Sequence, residues 1–129
     1  MAEKTGRRVL VVDDASLVRR FYRDALERAG FHVEEALNGI EALEKLLAIP
    51  VDGMIVDVNM PQMDGFTFLH AVRSRDLPLS STPAMVISTE AGPQDFAAAR
   101  AAGANFYLVK PVSPDELAEC AAMLCGVPA

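Results

Sequence analysis

The 129-residue chain has only two cysteines, Cys120 and Cys125, and it has neither a long apolar run nor a surplus of positive charge. The cysteines fall on different faces of one expected helix and match neither a zinc knuckle nor a redox pair, so they read as packing residues in a reducing compartment. No stretch approaches the ~20 apolar residues needed to span a bilayer. The opening Met1-Ala2-Glu3-Lys4-Thr5-Gly6-Arg7-Arg8 leads into an apolar strand segment rather than a signal peptide. A cytoplasmic location without membrane insertion is therefore expected. A formal net charge of −6 is the wrong sign for a nucleic-acid surface, which needs a basic field. Repeats, low-complexity tracts and linkers are also missing. The expectation is one domain over residues 1–129, with its core at about 7–125 and no separate output domain.

Roughly half of the residues are apolar, 51%, and they fall in short separated runs, which argues for a chain that folds alone. Val9-Leu10-Val11-Val12, Met54-Ile55-Val56, Ala84-Met85-Val86-Ile87 and Phe106-Tyr107-Leu108-Val109 are continuous runs of the kind found in interior parallel strands. Phe31-His32-Val33-Glu34 alternates instead, as a half-exposed edge strand does.

Between these runs the period becomes helical. Val18, Phe21, Tyr22, Ala25 and Ala29 form one stripe, ended by Gly30. Asn38 and Glu41 have capping-box spacing ahead of a second stripe of Ile40, Leu43 and Leu47, which Pro50 stops. Phe66, Leu69 and Val72 mark a third helix. Pro93 opens a weakly patterned fourth that reaches Gly103. Ser113, Pro114 and Glu116 start a fifth that buries Leu117, Ala121 and Leu124.

Alternating strands and helices with right-handed crossovers imply an α/β fold, flavodoxin-like, with a five-stranded parallel sheet of order 2-1-3-4-5 and helices on both faces. In such sheets chemistry is expected beyond the carboxyl ends of the strands, where the strand order reverses. Asp13 and Asp14 follow the first strand and Asp57 ends the third, so all three should meet there. Clustered carboxylates repel one another unless a cation neutralises them, and an all-oxygen site without His or Cys suits Mg2+. Taken alone, Asp14 would serve as a helix cap and Asp13 as a solvated strand end. Ser88 and Lys110 end the fourth and fifth strands at the same edge and add a hydroxyl and an ammonium. Together these groups supply a carboxylate nucleophile, a metal site, a cation and a donor, which are the parts phosphoryl transfer needs.

The combination of Asp13-Asp14, Asp57, Ser88 and Lys110-Pro111, with the segment Asp57-Val58-Asn59-Met60-Pro61-Gln62-Met63-Asp64-Gly65, resembles the receiver domains of two-component response regulators over nearly the whole chain. Within that family it is most similar to the single-domain chemotaxis receivers. The resemblance implies Asp57 as phosphoacceptor; Asp14, Asp57 and the Asn59 carbonyl as direct magnesium ligands; and Asp13 as a ligand through water. Lys110 would pair with the phosphoryl group after a cis Lys110–Pro111 peptide, and Ser88 would hydrogen-bond the phosphoryl group while Tyr107 turns toward the core as a switch. The readout would be the surface of the fourth helix, fifth strand and fifth helix. Asn59, Thr89 and Glu90 would tune the lifetime of the phosphorylated form. Thr89 departs from the family's usual small residue, and Ala15 replaces a large aromatic of the chemotaxis receivers, which puts phosphatase docking in doubt.

By the same resemblance the partners would be a sensor histidine kinase or histidine phosphotransfer domain, docked on the first helix through Arg19 and Arg20. A flagellar motor switch protein or a phosphatase would be a further partner. A monomer is expected, with a dimer left open, and the chain would be a self-phosphorylating switch rather than an enzyme in the usual sense. Other readings fit less well. An aspartyl-phosphate hydrolase usually has a second acid where Asn59 stands. A flavin or nucleotide binder needs a phosphate loop where Asp13-Asp14 stands.

Overall fold

The computed structural model describes residues 4–60 and 62–127. Pro61 and the Met1-Ala2-Glu3 opening lie outside the described residues. Five strands, β1 (Arg8–Val12), β2 (His32–Ala36), β3 (Gly53–Asp57), β4 (Ala84–Ser88) and β5 (Phe106–Val109), alternate with five helices, α1 (Ser16–Arg28), α2 (Gly39–Ala48), α3 (Gly65–Arg73), α4 (Pro93–Ala102) and α5 (Pro114–Leu124). All strand pairs are parallel and the order is β2-β1-β3-β4-β5, as the sequence predicts.

The continuous apolar runs are explained by cover on both faces. Val9, Val11, Ile55, Met85 and Ile87 point to a cluster shared with α1 and α5. Their neighbours Leu10, Val12, Met54, Val56 and Val86 point to a second cluster with α2 and α3. Leu10 and Phe68, both fully buried, illustrate side chains worth about 1.5–3 kcal/mol each on leaving water.

Three sequence expectations change. The run Phe106–Val109 reads as an interior strand, but β5 lies at the edge that the expected order gives it, and its residues are half-buried or exposed. The inner face of α2 is Gly39, Ala42 and Leu46, whereas Ile40 and Leu47 are exposed. Small residues let this helix sit close, and Gly39 lies hard against Met63. In α1 the fully buried residue is Leu26, and Phe21 from the expected stripe is 44% exposed.

The expected N-caps form, but the return half of the two expected boxes does not: Glu41 accepts from the Leu37 N–H instead, and Glu116 accepts nothing from Ser113 among the described residues. Asn38 and Ser113 accept from the Glu41 and Glu116 N–H groups at 2.9 and 3.1 Å. On α4 the Asp95 carboxylate accepts from the Gly92 N–H at 2.9 Å, and Gly103 closes the helix at φ 103°. A connection absent from the sequence reading, a 3-10 turn at Leu79–Ser81, follows a cis Leu77–Pro78 peptide. It is held by Arg73, which donates to the Thr82, Ser80 and Gly103 carbonyls at 2.6, 3.2 and 2.7 Å. No described helix is long and apolar enough to cross a membrane.

Candidate functional site

The carboxyl end of the sheet gathers the acids because β1 and β3 stop in register. Val12 pairs with Val56, so Asp13 leaves β1 just as Asp57 ends β3. Carboxylate oxygens of Asp13, Asp14 and Asp57 all lie within 4.8 Å of one another. α3 starts directly behind this point. A side chain at Gly65 would run into the Asp57 carbonyl oxygen, so glycine is what lets the helix support the end of β3.

Each acid is held differently. Asp13 is 2% exposed, and its Oδ1 accepts from the Ala15 N–H at 2.9 Å. Its Oδ2 is buried and has no hydrogen-bond partner among the described residues. Asp14 is exposed and does not cap α1, whose N-cap is Ala15 without a side-chain cap. Asp57 is partly buried at the end of β3, and the nearby Asn59 backbone N–H pulls its carboxyl down only slightly. Burial first, and then the Asp13 charge, push the Asp57 carboxyl above its ordinary value, against the pull of Lys110. Burial also raises Asp13, against the Ala15 hydrogen bond and Lys110.

A buried carboxylate oxygen without a partner, beside two more carboxylates, costs stability unless a cation completes the site. The donors are all oxygen, and they fit a hard divalent ion such as magnesium.

The cationic and hydroxyl groups arrive from the far strands. Lys110 follows β5, its N–H bonds the Ser88 carbonyl at 2.8 Å, and its Nζ lies 3.7 Å from Asp57 Oδ1. The Lys110–Pro111 peptide is cis, as expected. Ser88 is 3% exposed, and its Oγ accepts from the Glu90 N–H at 3.1 Å. The hydroxyl proton finds no acceptor among the described residues, so it is free to donate.

The response regulator receiver domain family matches residues 9–122. The chain belongs to that family. The receiver is 40% identical over 121 residues to the chemotaxis protein CheY1 of Helicobacter pylori, covering 92% of this chain and 97% of that protein. It is 39% identical over 113 residues to the transcriptional regulatory protein PrrA of Mycobacterium bovis, covering 88% of this chain but 47% of the regulator. Among solved structures it resembles the chemotaxis protein CheY4 of Vibrio cholerae, with a TM-score of 0.85, 38% identity, and coverage of 92% of this chain and 98% of that one.

The other expected site residues of the receiver are spread around this centre. Asn59, Thr89 and Glu90 are exposed on the loops after β3 and β4. Tyr107 is half-buried on β5, donates its hydroxyl to the Glu90 carbonyl at 2.7 Å, and meets Phe96 of α4 edge-on, with centroids 4.7 Å apart. Strand and loop are thus tied through one phenol.

Arg19 and Arg20, paired in the sequence reading, separate in space. Arg20 is exposed. Arg19 is largely covered: it donates to the Asp13 carbonyl at 2.7 Å and pairs with Glu35 at 3.1 Å, so its guanidinium braces the acidic turn from within. Arg23 shares Glu35 at 2.6 Å. Burial alone would raise Glu35, but the hydrogen bonds from Arg23 and Arg19 outweigh it and lower its pKa.

The sequence pattern marks Tyr22 only as part of an apolar stripe. Burial and the Asp13 and Asp57 charges push its phenol up to about 12, which places it within the field of the site. With Leu17, Phe21 and Val112 it lines an apolar groove of about 400 Å³ beside Lys110 and Pro111. The adjacent aromatics Phe21 and Tyr22, more than one inward stripe needs, could have flagged this groove; the reach of Arg19 had no signal in the sequence.

Proposed function

We propose that the receiver takes a phosphoryl group from a phosphohistidine of a histidine kinase or phosphotransfer domain. An Asp57 carboxylate oxygen attacks phosphorus, the P–N bond breaks, and histidine departs with its nitrogen lone pair. The observation that carries this reading is the Asp13, Asp14 and Asp57 cluster with Lys110 3.7 Å from the acceptor. Magnesium, held by Asp14, Asp57 and the Asn59 carbonyl with Asp13 through water, would neutralise the acids and offset charge on the phosphoryl oxygens. Lys110 meets a further oxygen, and the free Ser88 hydroxyl donates to another. Thr89, directly after Ser88, limits access of water or phosphatase to the acyl phosphate.

Drawing Ser88 toward the phosphoryl group competes with its bond to the Glu90 N–H, and Glu90 is also the anchor of Tyr107. Phosphorylation therefore favours a different arrangement of the β4–α4 loop and Tyr107, and shifts the population of the α4–β5–α5 surface that partners read. The groove on α1 beside Pro111, with exposed Arg20, is the docking face for the phosphodonor. Likeness to chemotaxis proteins supports a flagellar motor switch protein as the listener. A relay or phosphate sink is the second reading, since the chain is similar to a transcriptional regulatory protein as well as to chemotaxis proteins, and likeness alone does not commit it to a motor partner.

The test is a beryllium fluoride titration followed by amide NMR. With magnesium, resonances of Asp57, Ser88 and Tyr107 move together. A response that needs no magnesium, or that survives Asp57→Asn, overturns the reading.

A further inference from the structure

At the amino ends of the strands, opposite the acids, a hollow of about 420 Å³ opens among Lys4, Arg7, Arg8, His32, Pro50 and Asp52. Three permanent cations face one carboxylate there, in a chain whose net charge is −6. The local field therefore opposes the global one. Asp52 neutralises neither guanidinium. Its Oδ2 accepts from the Arg8 backbone N–H at 2.8 Å, and no ion pair among the described residues involves Arg7 or Arg8.

The Nε groups of both arginines are covered and lack a hydrogen-bond partner among the described residues. The one hydrogen bond from either guanidinium among the described residues is long, from Arg8 Nη1 to the Pro50 carbonyl at 3.4 Å. Burying the Nε groups leaves the terminal Nη groups to face the hollow, where the guanidiniums have only that one long bond among the described residues and gain from an oxyanion. His32 adds a donor at the rim, where Glu34 lies 4.0 Å from its Nε2. Adjacent planar forks with a lysine match a group with several negative oxygens better than a single carboxylate. The volume suits a small molecule.

We propose that this hollow binds a multiply charged phosphate-type anion, either free pyrophosphate or the phosphate chain of a nucleotide. The site is independent of Asp57: β1 runs from Arg8 at one end to the acids at the other.

The test is titration of the metal-free full chain with inorganic pyrophosphate and, in parallel, with a nucleoside diphosphate, read by amide NMR. Saturable shifts at Arg7, Arg8, His32 and Asp52, with Asp57, Ser88 and Lys110 unmoved, are expected. Tighter binding of the nucleotide assigns that source; equal or weaker binding assigns the free anion. Arg7→Gln/Arg8→Gln lowers affinity at least about tenfold, the equivalent of one charge-assisted hydrogen bond, while Arg7→Lys/Arg8→Lys retains more. Lys4→Gln, at an exposed position, weakens binding as well and serves if the double variant melts early. Non-saturating shifts, shifts centred on Lys110, or affinity unchanged in the glutamine variants overturn the proposal.

Discussion

Replacing Asp13 by asparagine should stabilise the metal-free protein, although it removes a group the site depends on. The asparagine side chain keeps the oxygen that accepts from Ala15 and replaces the charged, unpartnered Oδ2 by part of a neutral amide, which costs less to bury. It also removes a charge no more than 4.8 Å from its acidic neighbours. At an effective dielectric of ~20, one such like-charge pair costs about 3 kcal/mol. The attraction of Lys110, and solvent at the open edge of the site, return part of this, leaving a net gain of about 1–2 kcal/mol. In a chain of this size that is about 4–8 °C in Tm.

The pH dependence has a definite sign. The Asp13 carboxyl is raised above its ordinary 3.8 in the fold. The native state therefore holds the extra proton, and stability falls as pH rises from 3.8 through the raised value. The advantage of Asp13→Asn is full at neutral pH and vanishes below 3.8. Glu35, lowered in the fold, acts oppositely in both proteins: its contribution is present above its unfolded pKa and is lost as pH falls through the folded one, so it cancels in the difference. The assay is thermal unfolding in chelator across pH, repeated with magnesium, which should raise the Tm of the parent more than that of the variant. A variant less stable than the metal-free parent at neutral pH, or a gain undiminished in acid, would refute the reasoning.

Three further outcomes follow from the geometry. Gly65→Ala drives a methyl group into the Asp57 carbonyl; a loss of about 1–3 kcal/mol in denaturant unfolding is expected, with slower phosphoryl uptake. Arg73→Met strands the Thr82, Ser80 and Gly103 carbonyls and should cost about 3 kcal/mol by the same measurement. Tyr107→Phe removes the bond to the Glu90 carbonyl. Phosphorylation of Asp57 should stay near the parent level while phosphorylation-dependent partner affinity, measured by calorimetry, changes about fivefold, the equivalent of one neutral hydrogen bond.

The strand order could be read from the sequence because cover leaves a mark. Val9-Leu10-Val11-Val12 needs apolar surroundings on both sides, whereas alternation in β2 tolerates an edge. The acid site was legible for the same reason: once parallel strands are ordered, whatever follows Val12 and ends β3 must meet. β5 was misjudged because Phe106-Tyr107-Leu108-Val109 is as apolar as an interior strand, yet helices cover it only in part. The α2 face shifted by one residue because Gly39 and Ala42 permit close approach, and periodicity weighted toward large side chains overlooks that. Arg19 and Arg73 were beyond reach. A long flexible side chain finds carbonyls on other elements, and its partners are set only after the chain has packed.

The central claim is that Asp57 accepts a phosphoryl group in a site built by Asp13, Asp14 and Lys110. The most direct measurement is transfer from a phosphorylated histidine kinase or phosphotransfer domain to this chain, with intact mass and peptide mapping of the product. One phosphoryl group on Asp57, formed only with magnesium and absent in Asp57→Asn, is the predicted result. Transfer that proceeds in chelator, or that persists at full stoichiometry in Asp57→Asn, would contradict the account.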